Sequence, residues 1–221
     1  MSSNKKIPVS YLRLCSAFAA VSVLSSQVAL ADDAPEKIKV GDEWTYLETN
    51  DITGTPNGQL LMTVNEISDK EFTVRVSIPN NNNSYLLIFD NDWNAKQQGQ
   101  VKFTPNDGRG APHDAKVGST WDTKYVWQDL SKGAGGKGES KGKCIANEQI
   151  ANEAGTFDTL KCEVVITTKP PGGGAATTET TITTWFAPKT LRWAKRQFVT
   201  KERGHLSESR TQELVSYDLK P

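Results

Sequence analysis

The sequence predicts an all-β fold, a strongly curved antiparallel sheet that closes into a barrel or half barrel, and three observations carry that prediction. Apolar and polar residues alternate with period two through most of the chain beyond residue 31. Clusters of Gly, Pro, Asn and Asp interrupt the alternation at short intervals, and no stretch of useful length repeats its apolar residues at helical spacing. Alternation of this kind puts one strand face on a core and the other in water, and such frequent punctuation suits hairpins.

The elements follow in order. Trp44 to Leu47 and Leu60 to Ile67 flank the turn signal Thr53-Gly54-Thr55-Pro56-Asn57-Gly58. Past Ser68-Asp69-Lys70, the run Phe72 to Ile78 alternates most cleanly and turns Phe72, Val74, Val76 and Ile78 inward. Pro79 to Asn83 leads to Tyr85 to Phe89, then Val101 to Phe103, and Asn106-Asp107-Gly108 ends that strand. Tyr125 to Trp127, Lys143 to Ile150 and Phe157 to Thr168 come next, the last with Leu160, Cys162, Val164 and Ile166 inward. Ile182 to Phe186, Leu191 to Val199 and Leu214 to Leu219 complete ten or so strands. Two segments, Ser131 to Lys143 and Lys169 to Ala176, have the glycine-rich composition of flexible linkers and are expected as mobile surface loops. A phosphate-loop reading of the first fails, because it lacks the G-x-x-x-x-G-K-[ST] spacing and the following helix.

Residues 1-31 read as a cleavable secretory leader. Lys5, Lys6 and Arg13 supply a basic start, Leu14 to Leu24 an apolar stretch too short to span a bilayer, and Ala29-Leu30-Ala31 an A-x-A cleavage site. Cys15 follows Leu12-Arg13-Leu14 and lacks the small residues that precede an acylated cysteine. The mature chain is then expected to begin at Asp32 and form a single β domain over 32-221. Its compartment is oxidising, and two cysteines remain, Cys144 and Cys162, nearly equidistant from the turn signal Asn152-Glu153-Ala154-Gly155. Residues so placed face each other across a hairpin unless a bulge shifts the register, so a structural disulfide is expected, contributing roughly 3 kcal/mol. The whole chain balances 26 basic against 26 acidic residues, and the leader removes three basic ones, so the mature protein is slightly acidic. That balance, with no long Lys/Arg patch, argues against nucleic acid as a partner, and the mixed clusters Lys195-Arg196 and Lys201-Glu202-Arg203 read as the solvated face of a strand. Mean hydropathy of −0.53 argues against a lipid-facing barrel and for a soluble one with no membrane-spanning segment after cleavage.

A weak internal repeat relates 39-115 to 116-221. Lys39-Val40-Gly41-Asp42-Glu43-Trp44 recurs as Lys116-Val117-Gly118-Ser119-Thr120-Trp121, and Ser84 to Phe89 followed by Trp93 is echoed by Thr184-Trp185-Phe186 followed by Trp193. Three motifs, K-V-G-D-E-W-T-Y at 39-46, G-T-F-D-T-L-K-C-E at 155-163 and T-W-F-A-P-K-T-L-R-W at 184-193, together resemble the exported bacterial β-sheet proteins of the TapB-like type, a family whose function is largely unassigned. Where the family's pattern places Gly and a hydrophobic residue after A-P, this chain has Lys189-Thr190. More distantly, the expected curved sheet is similar to the half-barrel carriers typified by LolA, a likeness of fold that implies no function.

Catalytic motifs were sought and none is predicted. The only histidines, His113 and His205, sit in no ligand pattern, and H-E-x-x-H, C-x-x-C and G-x-S-x-G do not occur, so neither a metal nor a cofactor is expected. Asp90-Asn91-Asp92-Trp93-Asn94 opens like a calcium loop, but Ala95 and Val101 occupy the places of the required Gly and bidentate Glu, so a polar turn is expected. Among six tryptophans, Trp44 and Trp121 hold equivalent repeat positions and read as structural aromatics. Trp127 and Trp185 adjoin the apolar Val126 and Phe186 on the opposite strand face, so at least one apolar face there points outward, and these two are the candidate binding surface.

The resulting expectation is an exported, non-catalytic periplasmic protein that binds an apolar or glycan ligand, or a partner, on a concave β surface. A second possibility is an envelope structural or assembly factor working through strand edges, and a third is a hydrolase with an unrecognised carboxylate pair. The interior discriminates among them. A hollow apolar cavity favours a lipid-like ligand, a filled one favours a protein partner, and two facing carboxylates favour the enzyme.

Overall fold

The structure, a computed structural model, describes residues 37–169 and 178–221. The leader, with Ala29 and Ala31, and residues 170–176 of the second expected loop lie outside the described residues. The strands are β1 (Glu43–Asn50), β2 (Thr55–Ile67), β3 (Phe72–Ile78), β4 (Asn83–Phe89), β5 (Ala95–Gln98), β6 (Val101–Thr104), β7 (Thr120–Asp129), β8 (Ala134–Asn152), β9 (Gly155–Lys169), β10 (Thr178–Ala187), β11 (Arg192–Glu202) and β12 (His205–Asp218). Each pairs antiparallel with its neighbours in sequence, and β1 closes on β12 from Glu43↔Asp218 to Asn50↔Arg210, giving a closed meander barrel. Closure gives every described strand two neighbours, so edge-to-edge contact is confined to places where one strand outruns the next, as Thr120 to Tyr125 of β7 outrun β6.

Inward positions fill the barrel in two clusters. Trp44, Tyr46, Val64, Phe72, Val74, Val76, Phe89, Trp93, Trp193 and Leu214 dominate the larger; Tyr125, Val164, Ile166, Ile182 and Phe198 form the smaller. Outward positions carry ion pairs such as Lys141–Glu139, Lys161–Glu148 and Lys195–Glu213. Apolar inside and charged outside is the reverse of a lipid-facing barrel.

The disulfide Cys144–Cys162 is present, and the two residues are direct cross-strand partners as the spacing predicts. A bulge between Cys144 and Ala146 follows at once. Beyond it the hairpin tip packs Ile150, Ala154 and Phe157 on the larger cluster, with the Phe157 ring 6.1 Å from Tyr217, and Asn152 Nδ2 donates to Ala194 O at 3.0 Å. The tip thus folds over the barrel end where β1 starts and β12 finishes.

Ser131 to Lys143 corrects the expectation of a mobile loop, because most of it is the first half of β8. The glycines are there to admit rings. Trp121, Tyr125 and Trp127 of β7 stand directly opposite Gly142, Gly138 and Gly136 of β8, and a Cβ built on Gly138 or Gly142 would overlap the Tyr125 or Trp121 ring. An aromatic laid over a cross-strand glycine supplies the packing that the glycine lacks. The short strand β5 was also missed, since Ala95-Lys96-Gln97-Gln98 has no apolar alternation. Lys195-Arg196, expected on a solvated face, splits across the wall: Lys195 points out and Arg196 is buried.

The two opening turns share a local geometry. Gly41 and Gly118 have φ of 91° and 93°, and their N–H groups donate to Val64 O and Cys144 O. The Asp42 carboxylate and the Ser119 hydroxyl accept from the Lys39 and Lys116 N–H. A likeness of whole halves does not emerge. The matching 3₁₀ turns, Pro79–Asn81 and Pro188–Thr190, fall after the third strand of the first half and the fourth of the second.

Candidate functional site

The interior is occupied rather than hollow. After β6 the chain turns inward, and residues 105–110 plug the barrel beneath β7 and β8. Asp107 is fully buried; its Oδ1 accepts from Ala95 N at 2.8 Å and Arg109 N at 3.2 Å, and its Oδ2 pairs with Arg109 Nε. Burial pushes the Asp107 carboxyl up, and Arg109 with the backbone donors opposes that rise. The Ser140 hydroxyl donates to Asp107 O, and Trp121 Nε1 donates to Gly108 O at 3.1 Å. Gly110 lies so close to the Asp92 carbonyl that no side chain fits there. Asp90, at the head of the suspected calcium loop, accepts instead from Asp92 N, Asn94 N, Asn94 Nδ2 and Asn106 Nδ2. Its oxygens bind the turn to the plug.

Above the plug, Arg192 is fully buried in an aromatic box. Its guanidinium lies 3.9 Å from the Trp193 ring centroid, 4.3 Å from Trp93 and 5.0 Å from Trp44, and Nη2 contacts Met62 Sδ at 2.9 Å. Trp93 reaches the box from a turn at φ 62°, a conformation unusual for a bulky residue and held here by packing against Phe72, Phe89 and Trp193. Desolvation pushes Arg192 down to about 10. Arg196 lies 4.4 Å from the Trp193 ring centroid and is 4% exposed.

The open concavity is on the outer wall. A groove of about 450 Å³ crosses β6 to β9, lined by Thr104, Lys124, Val126, Lys137, Glu139, Thr167 and Lys169, with Tyr125 and Gly138 at its floor. Register assembles it. Thr104, Val126, Lys137 and Lys169 are successive cross-strand partners and form one rung; Lys124, Glu139 and Thr167 form the next. β6 stops at Thr104, so its ladder with β7 covers only Val126 to Asp129, and Thr120 to Tyr125 continue past it. Glu139 is engaged by Lys141 at 3.3 Å, which leaves Lys124, Lys137 and Lys169 to set a positive field, and Val126 is 54% exposed among them. Burial pushes the Tyr125 phenol up to about 12, so it stays neutral.

The structure does not bring the expected binding pair together. Trp127 faces inward against the smaller cluster over Gly136. Trp185 lies on the outer wall at 8% exposure, covered by the stems of its cross-strand partners Lys161 and Lys195, and its Nε1 donates to Glu148 at 2.7 Å. Trp44 and Trp121 are inward structural residues, each giving its indole N–H to a loop carbonyl, Thr190 O at 2.8 Å and Gly108 O at 3.1 Å. His113 and His205 are exposed, and among the described residues no cluster of acids, histidines or cysteines is arranged to hold a metal ion. The buried carboxylates Asp42 and Asp107 do not face each other: Asp42 accepts from Lys39 N and Lys220 N, Asp107 from the plug. The groove lysines carry no signal in the sequence because 124, 137 and 169 are far apart in the chain and meet only through register.

Comparison with solved structures shows the fold. A candidate lipoprotein from Parabacteroides distasonis matches with a TM-score of 0.54 and 15% identity, covering 81% of this chain and 96% of its own. A candidate exported protein with a YmcC-like fold from Bacteroides fragilis matches at 0.51 and 13%, covering 82% and 97%. The hypothetical lipoprotein YmcC from Escherichia coli K12 scores 0.47 at 13% identity. No protein-family model and no curated protein matches the chain.

Proposed function

We propose that this chain is an exported, non-catalytic protein of the bacterial envelope that binds an extended, acidic partner polypeptide along the outer groove beside β7. The carrying observation is the rung Thr104, Val126, Lys137, Lys169, which sets an apolar residue and two lysines beside the flank of β7 that β6 leaves unpaired. An added strand supplies main-chain hydrogen bonds, and alternate side chains supply specificity. The filled interior supports a partner over an enclosed apolar ligand, and the inward packing of Trp127 and the burial of Trp185 remove the stacking platform a glycan would use. Export is supported by the leader, by the paired cysteines, and by fold neighbours described as lipoproteins or exported proteins. The resemblance to TapB-like proteins agrees with that compartment.

The test is fluorescence anisotropy of a labelled peptide of alternating Glu and Val with the mature protein. Binding is expected to weaken with salt and to fall about tenfold or more in Lys124→Glu/Lys137→Glu. No binding, or binding indifferent to the charge reversal, refutes the reading. Binding of alginate without binding of the peptide transfers the groove to an acidic glycan.

A further inference from the structure

A void of about 20 Å³ lies inside the barrel between the plug and β9 to β11. Trp93, Arg109, Trp121, Thr184, Trp193 and Arg196 are among the residues that line it. Its size admits about one water-sized sphere. Its chemistry is one-sided. Arg196 Nε, Trp193 Nε1 and Thr184 Oγ1 are all buried and without a hydrogen-bond partner. The first two can only donate, and a buried donor left unmade costs roughly 1–3 kcal/mol, more when charged.

Charge points the same way. Arg109 is paired with Asp107 and Arg210 with Glu48, whereas Arg192 and Arg196 form no ion pair among the described residues. Aromatic faces take up the charge of Arg192, and Nε and Nη1 of that residue are also unpartnered. Arg196 has the Trp193 and Phe198 rings at 4.4 and 5.2 Å, but it also has a void beside it. A guanidinium does not shed its proton in proteins, so a buried one without a carboxylate requires another anion or a large desolvation penalty.

We propose that this void is a halide site: a chloride ion bound by Arg196, with the Trp193 indole N–H and the Thr184 hydroxyl completing its donors. A water molecule would accept from two of these donors and return one hydrogen to the Thr184 oxygen, but its second hydrogen would find no acceptor among these three groups, and it would add no charge opposite the guanidinium beyond the field of Asp107, which Arg109 already shares. Sulfate and phosphate are too large for the space. Desolvation, and then the neighbouring Arg109, push Arg196 well below its usual value, a strain that a bound anion relieves.

The experiment is thermal unfolding of the mature protein at constant ionic strength, with chloride or bromide replacing gluconate or sulfate. A halide at a hundredfold excess over its Kd shifts the unfolding equilibrium about a hundredfold, which raises the midpoint by several degrees. Bromide-soaked crystals are expected to show an anomalous peak beside Arg196. Arg196→Met is expected to abolish the halide dependence; should that variant not fold, Thr184→Val, which keeps the shape and deletes the hydroxyl, is expected to weaken it. A halide-indifferent midpoint, or density for water alone without anomalous signal, overturns the proposal.

Discussion

Gly138→Ala puts the reading of β8 at risk. As part of a mobile loop, this glycine would accept a methyl group with little effect. In the barrel it faces Tyr125, which is 5% exposed, and the added Cβ would overlap the phenol ring. The ring must then tilt out of the cluster it makes with Val164, Ile166, Ile182 and Phe198. Complete loss of such a ring costs about 3–5 kcal/mol, and overpacking that is partly relieved costs about 1–3. We expect about 2 kcal/mol, or a midpoint lower by roughly 4–8 °C for a domain of this size. A double-mutant cycle isolates the cause. In a Tyr125→Ala background the same change should be neutral, or stabilise by up to about 1 kcal/mol, because alanine orders more readily than glycine in a strand. Urea titrations followed by tryptophan fluorescence give all four corners. If Gly138→Ala falls within about 0.5 kcal/mol of the outward-facing control Lys141→Ala, the ring does not lie over the glycine and the reasoning fails.

Four further outcomes are expected. Reducing the Cys144–Cys162 bridge, which spans a sequence separation of 18, should lower stability by about 3 kcal/mol, read as a shifted urea midpoint with and without reductant. Glu148 is held below the usual carboxylate value, first by the Trp185 indole and then by Lys161, so its stabilisation is present above the unfolded carboxylate range and lost as pH falls through the lower folded value. Glu148→Gln should therefore flatten the acid limb of the stability profile without changing its neutral plateau in slope. Mass spectrometry of the exported protein should find Asp32 at the N-terminus, and Ala31→Arg should leave the precursor uncleaved. Lys137→Glu should raise the unfolding free energy by about 0.2–1 kcal/mol while weakening the acidic peptide, since it turns a like-charge cross-strand pair into an opposite one.

The alternation of apolar residues was enough to place eleven of the strands approximately, because period two is set by the pleat and survives any loop arrangement. The disulfide was legible because near-equal spacing from a two-residue turn brings the cysteines within one residue of each other, and the bulge at Ile145 takes up the difference so that they become direct partners. What misled was composition read one strand at a time. Gly-Lys-Gly-Glu-Ser-Lys-Gly-Lys has no apolar face of its own; the face is supplied by Trp121, Tyr125 and Trp127 on the preceding strand. Arg196 failed similarly. Its position two before the inward Phe198 marks it as inward, but a cationic residue type outweighed its register.

On the proposed reading of the outer groove, register carries function as well as fold. Lys137 and Lys169 stand directly opposite on one rung, with Val126 as the next partner, so among the described residues neither has an acid in a cross-strand position that would neutralise it. Elsewhere on the wall such positions are used for compensation: Lys195 faces Glu213, and Lys143 faces Glu163. A sheet under selection for stability alone would place an acid opposite one of the two lysines. The interior is filled and the strands close on themselves, and the uncompensated rung lies on the outer wall where β7 outruns β6. An acidic extended segment laid there would supply both the missing charge and the missing strand, which makes the unfavourable pair intelligible as half of an interface.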